Sequence, residues 1–253
     1  QMMLNPAAMS EVSNPCRVAC VTGGAKRIGR ALVLALHQAN YNIIIHYHTS
    51  ESEAMELVDY CNAIRPQSAK SVQGDLENFE TLPQLTWRII NSFGRLDCLV
   101  HNASRFYPTP FGQISQQDWQ NLFLTNAQTP LFISQYLYPY LKKSQGCIIS
   151  ILDIHANGKP FGGYTVYNMA KAAHQMMVQS LAIELAPDIR VNGIAPGINI
   201  LPIEGSEQAL TAETIDKICR AVPLKRIGTP QDIAQVAVFL AAAPYITGQI
   251  IAV

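Results

Sequence analysis

Seven short apolar runs alternate with amphipathic stretches from residue 16 onward, and that rhythm leaves few architectures open. The runs are 17–21, 42–47, 69–73, 98–101, 147–152, 190–194 and 249–253. Each is too short for a stable helix, and most are rich in apolar residues, as expected of buried strands. Between them, helical periodicity occupies 28–38, 51–63, 82–92, 115–141, 164–185 and 230–242. Thr229-Pro230-Gln231-Asp232 reads as a helix start, with threonine as cap and proline at the first helical position. Strands covered on both faces and separated by helices call for a seven-stranded, parallel, doubly wound sheet with helices on both sides, a single-domain α/β fold of the Rossmann type. No low-complexity linker or repeat interrupts 15–253, and 1–14 reads as a loose N-terminal arm. Residues 198–222 break the rhythm after a strand end, where an excursion of that length is expected to be a lid over a site.

Charge narrows the function. Eighteen basic and eighteen acidic residues cancel, so nothing supports binding to nucleic acid or an anionic membrane. The six cysteines are scattered without a C-x-x-C pair and read as reduced, buried small hydrophobes, and no pattern calls for a metal. The sequence shows no apolar stretch of eighteen residues and no basic-then-apolar start, which points to a cytoplasmic protein.

Tyr167 and Lys171 carry the chemistry. Four residues apart on a helical pattern, they share one face, and a nearby ammonium is expected to lower the phenol pKa toward neutrality. A tyrosine so tuned can give and take protons. Upstream, Thr22-Gly23-Gly24-Ala25-Lys26-Arg27-Ile28-Gly29 forms a strand-to-helix turn suited to a pyrophosphate. Arg27 stands where many such turns carry a middle glycine, and Lys26 adds a second cation. The second strand ends His46-Tyr47-His48-Thr49-Ser50 without the carboxylate that holds NAD ribose hydroxyls. Lys26, Arg27, His46, His48 and Ser50 instead offer donors to a 2′-phosphate, which favours NADPH/NADP+. Asp75, before Leu76, can accept from the adenine amino group or cap the next turn. Asn102-Ala103-Ser104 lets the backbone approach the middle of the cofactor closely.

These landmarks, with Asn126 and Ala195-Pro196-Gly197, resemble the short-chain dehydrogenase/reductase family across 16–253. The resemblance implies Tyr167 as proton donor, Lys171 on the cofactor ribose, and Asn126 holding a water in the proton relay. It also implies cofactor contacts from Gly23, Lys26, Arg27, Ile28, Gly29, His46, Tyr47, His48, Ser50, Asp75, Leu76, Asn102, Ala103, Ser104, Pro196 and Gly197. The family's usual serine is not evident: Asp153 lies in its neighbourhood, and Ser150 sits deeper in the strand. Arg27, the His46-Tyr47-His48 strand end, Asp153 and Asn102-Ala103-Ser104-Arg105-Phe106-Tyr107-Pro108 look like pteridine reductases. That narrower likeness implies a catalytic Asp153, Phe106 stacked on a pterin, and Arg27 and Ser104 touching both ligands. It also implies a homotetramer. Thr49 departs from the group, some members of which carry arginine there for the 2′-phosphate.

A pterin is flat and rich in donors and acceptors, so an aromatic platform with matched polar groups suits it. The expected activity is therefore NADPH-dependent reduction of dihydropteridines of the dihydrobiopterin or dihydrofolate type. A general carbonyl reductase, such as a 3-oxoacyl-carrier reductase, would want serine in place of Asp153. A non-catalytic NADP sensor would have no use for Tyr167, Lys171 and Asn126 together.

Overall fold

The computed structural model describes residues 16–198 and 210–253. The arm expected at 1–14 and part of the expected lid, 199–209, lie outside the described residues. Strands β1 (Val18–Val21), β2 (Asn42–Tyr47), β3 (Ala69–Gln73), β4 (Cys98–His101), β5 (Cys147–Ile151), β6 (Arg190–Ala195) and β7 (Ile250–Ala252) form one parallel sheet. Their order is β3-β2-β1-β4-β5-β6-β7. The chain winds outward from β1 to β3, then crosses back to place β4 against the other side of β1. Strand order reverses there, and the crevice beyond the carboxyl ends of the strands is where such sheets bind ligands.

Pleating divides the core in two. Ala19, Val21, Ile43, Ile45, Val100 and Ile149 pack against helices α1 (Arg27–Gln38), α2 (Glu51–Ile64) and α8 (Pro230–Ala242). Their neighbours Val18, Cys20, Ile44, Leu99 and Ile148 face the opposite way, toward α3 (Leu82–Phe93), α5 (Thr129–Ser144) and α6 (Thr165–Glu184). Each fully buried Leu or Ile contributes about 1.5–3 kcal/mol, so both faces of the sheet are strongly driven inward. The α8 start is the one expected: Thr229 and Asp232 form a capping box, with Pro230 in the first turn. Among the described residues, no helix is long and apolar enough to cross a membrane.

The expected single helix over 115–141 is broken. Helix α4 (Gln116–Phe123) gives way to a π-helical turn, Leu124–Gln128, before α5 begins at Thr129. Pro130 supplies a physical reason, because it has no N–H to continue the ladder and sits comfortably in the first turn of a new helix. Such π turns recur at functional sites, and this one carries Asn126. Helix α7 (Ala212–Ala221) follows the undescribed stretch, where the sequence is helix-like.

Candidate active site

A cleft of about 710 Å³ opens at the carboxyl ends of the strands, large enough for a sizeable ligand. At one end, the β1–α1 turn supplies Gly23, Lys26, Arg27, Ile28 and Gly29. Gly23 holds φ +59°, and a Cβ on Gly29 would meet the Gly23 oxygen at 2.0 Å. Glycine is therefore needed for the helix to start against the turn. Arg27 adopts φ +51°, the left-handed conformation of the glycine it replaces, at about 1 kcal/mol of backbone strain. No side chain caps α1, so its positive end is suited to a bound anion. This cradle fits a dinucleotide pyrophosphate.

Thr22 Oγ1 accepts from the Asn102 and Ala103 N–H groups, and Asn102 Nδ2 donates to the Thr22 and Gly23 carbonyls. These bonds fasten the β4 end to the turn and bring Asn102, Ala103 and Ser104 into the cleft. Pro196 and Gly197 after β6 close the far wall, Gly197 donating its N–H to the Val253 carbonyl.

The β2 end differs from the sequence reading. His48 is exposed and Ser50 half-exposed at the start of α2, both open to a phosphate. Tyr47 is buried on the α1/α2 side. His46 is also buried: its Nδ1 accepts from the Gly23 N–H at 3.1 Å and its Nε2 faces the Gly74 oxygen at 3.0 Å. Its ring belongs to the scaffold, and the expectation of a direct phosphate donor there is corrected. The strand end itself carries no carboxylate, but Glu53, within α2, reaches Lys26 Nζ at 2.6 Å and engages that cation. Asp75 Oδ1 accepts from the Glu77 N–H, so Asp75 caps its loop, and the Leu76 carbonyl accepts from Thr129 Oγ1.

Buried imidazoles make folding acid-sensitive. Burial lowers His46 to about 4 and His101 to about 3, from an ordinary 6.5. Below pH 6.5 the unfolded chain takes up protons that the folded chain refuses, so stability is complete above 6.5 and falls as pH drops toward 4. At pH 5.5, one unit below the unfolded value, each group costs about 1.4 kcal/mol. Urea unfolding midpoints should fall between pH 7.5 and 5.5, and a flat profile would contradict this assignment.

The reacting end lies where α6 passes the end of β5. Tyr167 Oη donates to Asp153 Oδ2 at 2.7 Å. Asp153 Oδ1 accepts from the His155 N–H at 2.8 Å, capping the 3₁₀ turn Ile154–Ala156. One carboxylate thus caps a loop and holds the phenol. Lys171 Nζ donates to the Ile151 carbonyl at 3.1 Å and lies 5.9 Å from the Tyr167 ring centroid. Burial lowers Lys171 to about 8, with Asp153 pulling the other way. The expected lowering of the Tyr167 pKa is overturned. Burial first, then the Asp153 charge and hydrogen bond, raise it, so the phenol keeps its proton. The lysine shares its helix face as expected, but the carboxylate is the group bonded to the hydroxyl.

Asn126 is 1% exposed and sits behind this group rather than in the cleft wall. Its Nδ2 donates to the Arg105 and Leu122 carbonyls, while Oδ1 is without a partner. Ser150, the nearest serine on β5, is fully buried with its hydroxyl bonded to His174 Nε2 at 2.9 Å. It cannot serve as the family's carbonyl-polarising serine. Phe106 lines the cleft, stacked on Tyr164 at 4.6 Å and edge-on to Tyr167 at 4.9 Å. Tyr164, Phe161 and His155 complete an aromatic wall that the sequence reading did not assign. Tyr164 was findable, since it lies three residues before Tyr167. Phe161 and His155 had no comparable signal.

A family described as enoyl-(acyl carrier protein) reductase matches residues 23–253. Pteridine reductase 1 of Leishmania tarentolae is 35% identical, over 93% of this chain and 94% of that protein. The hydroxynaphthalene reductase-like protein Arp2 of Metarhizium acridum is 28% identical, over 93% of this chain and 92% of its own. With the doubly wound sheet, the glycine cradle and the Asp153–Tyr167–Lys171 group, these matches place the chain in the short-chain dehydrogenase/reductase family, oxidoreductases that use nicotinamide cofactors.

Proposed function

We propose that the chain is an NADPH-dependent reductase of dihydropteridines, of the dihydrobiopterin or dihydrofolate type, acting in the cytoplasm in pterin or folate metabolism. The observation that carries this reading is the 2.7 Å bond between the Tyr167 hydroxyl and Asp153 beside an aromatic wall. A carboxyl group behind the phenol suits protonation of a ring nitrogen, and Phe106 offers a flat face to a pterin. The bound cofactor supplies hydride. Tyr167 would deliver the proton to the adjacent ring nitrogen, and Asp153 would relay a replacement proton, taken from solvent, to the phenolate left behind. Lys171, held by the Ile151 carbonyl at the cleft wall, is assigned to the cofactor ribose and adds a positive charge near both. Arg27 and Ser104, at the cleft wall, are assigned to both ligands.

The test is cofactor oxidation measured in parallel with dihydrobiopterin, dihydrofolate and an acetoacetyl thioester. Turnover of the thioester alone would replace this reading by a carbonyl reductase, and binding without turnover of any would indicate a sensor.

NADPH should be preferred over NADH, because Lys26 and Arg27 line the cleft and His48 and Ser50, accessible after β2, can add donors to a 2′-phosphate. Charge-assisted bonds of that kind amount to roughly 10–100-fold in kcat/KM. Arg27→Ala should reduce the NADPH value more than the NADH value. Glu53→Gln should raise the preference by releasing Lys26. Equal kcat/KM for the two cofactors would overturn the assignment.

Self-association as a homotetramer completes the proposal. Leu131 and Tyr140 on α5, and Met169, Met176 and Ile183 on α6, are exposed although their helices already bury another face against the sheet. Apolar cover on that outer side is expected from a second copy. Light scattering at micromolar concentration should give four chains, and a stable monomer would refute it.

A further inference from the structure

His46 is joined to two loops by one ring. The Gly23 N–H can only donate and the Gly74 oxygen can only accept, so Nδ1 is the acceptor and Nε2 carries the hydrogen. The His46 carbonyl also accepts from the Gly24 N–H at 2.9 Å. Both glycine N–H groups that open the β1–α1 turn therefore end on His46, which directs phosphate binding to the start of α1. The same ring grips the chain at Gly74, immediately before the Asp75-Leu76 loop assigned to the adenine. The spacing between the phosphate turn and the adenine loop is thus set by the width of one imidazole, buried and 2% exposed.

We propose that His46 is the positioning residue of the dinucleotide site: it clamps the phosphate turn to the loop after β3 and so fixes the span across which the adenosine half of the cofactor binds. This rests on the cleft being a nicotinamide dinucleotide site and is independent of the pterin reading. His46 touches neither the Asp153–Tyr167 pair nor the aromatic wall, so its influence should fall on cofactor affinity and spare the reacting end.

Asparagine and glutamine separate the two bonds. An asparagine oxygen comes at the position of Nδ1 and can accept from Gly23, whereas a glutamine amide nitrogen comes at the position of Nε2 and can donate to Gly74. The experiment titrates NADP+ and its fragment adenosine 2′,5′-bisphosphate into the full chain by calorimetry, for wild type, His46→Leu, His46→Asn and His46→Gln, with melting temperatures recorded alongside. His46→Leu should weaken NADP+ about 10–100-fold, while kcat at saturating cofactor stays within about twofold. His46→Asn should recover NADP+ binding to within about threefold of wild type, because the phosphate turn is held. His46→Gln should keep fragment binding better than NADP+ binding, because only the adenine side is held. If His46→Leu fails to fold, the asparagine and glutamine variants carry the test. Equal NADP+ affinity in those two, or losses in all variants that simply follow melting temperature, would overturn the proposal. Failure of wild type to bind NADP+ would instead overturn the cofactor site itself.

Discussion

Tyr167→Phe should reduce turnover about 10²–10⁴-fold, the usual effect of losing a positioned acid, while leaving NADPH affinity within about twofold. The substitution removes one oxygen and the proton it carries. Phenylalanine keeps the ring among Leu122 and Val166 and edge-on to Phe106, so folding and cleft shape should survive. Burial and Asp153 hold the phenol protonated, so the hydroxyl stands ready as a donor. With it gone, Asp153 faces the cleft without the group that reaches the substrate. Steady-state assay with a fluorescence titration of cofactor checks both halves. Retention of more than a tenth of wild-type turnover would remove Tyr167 from the role of acid.

Most strands were legible as apolar runs bounded by turn residues, and β2 to β4 begin and end where the pattern does, although β3, Ala69–Gln73, buries only Ala69 and Val72. The break at Leu124–Gln128 was legible only in part: Pro130 marks a new helix, but nothing local announces a π turn. His46 was misread by grouping it with His48. Pleat parity alone would put both on one face; the strand end separates them, since His46 follows Ile44 into the sheet and His48 lies past Tyr47, where β2 stops. The Lys26–Glu53 pair joins the β1–α1 turn to α2, and the Tyr167–Asp153 bond joins a helix to the segment just past a strand end, fourteen residues away. Helical spacing placed Lys171 beside Tyr167 but could not say which neighbour takes the hydroxyl. Contacts between elements decide that, and these are set by the fold.

Asp153 separates a pterin reductase from ketone-reducing relatives, so its replacement has the most to say about substrate. Asp153→Asn keeps the shape, and its side-chain oxygen can still accept from the His155 N–H, leaving the 3₁₀ turn capped. The amide cannot pass a proton to Tyr167, and dihydrobiopterin reduction should fall by about 10²-fold or more. Removing the carboxylate also removes its contribution to the raised Tyr167 pKa, so any alkaline loss of activity should move to lower pH. A mere loop cap would not produce that shift. Asp153→Ser should be equally poor with dihydropterins. It restores a hydroxyl beside Tyr167, where Ser150 cannot act because it is buried against His174, and activity on a simple activated ketone should hold or rise. Parallel kcat measurements and pH profiles on the two substrate classes decide the matter. Near wild-type reduction of dihydrobiopterin by both variants would show that Asp153 only caps its loop, and the pterin assignment would then rest on Phe106 and Arg27.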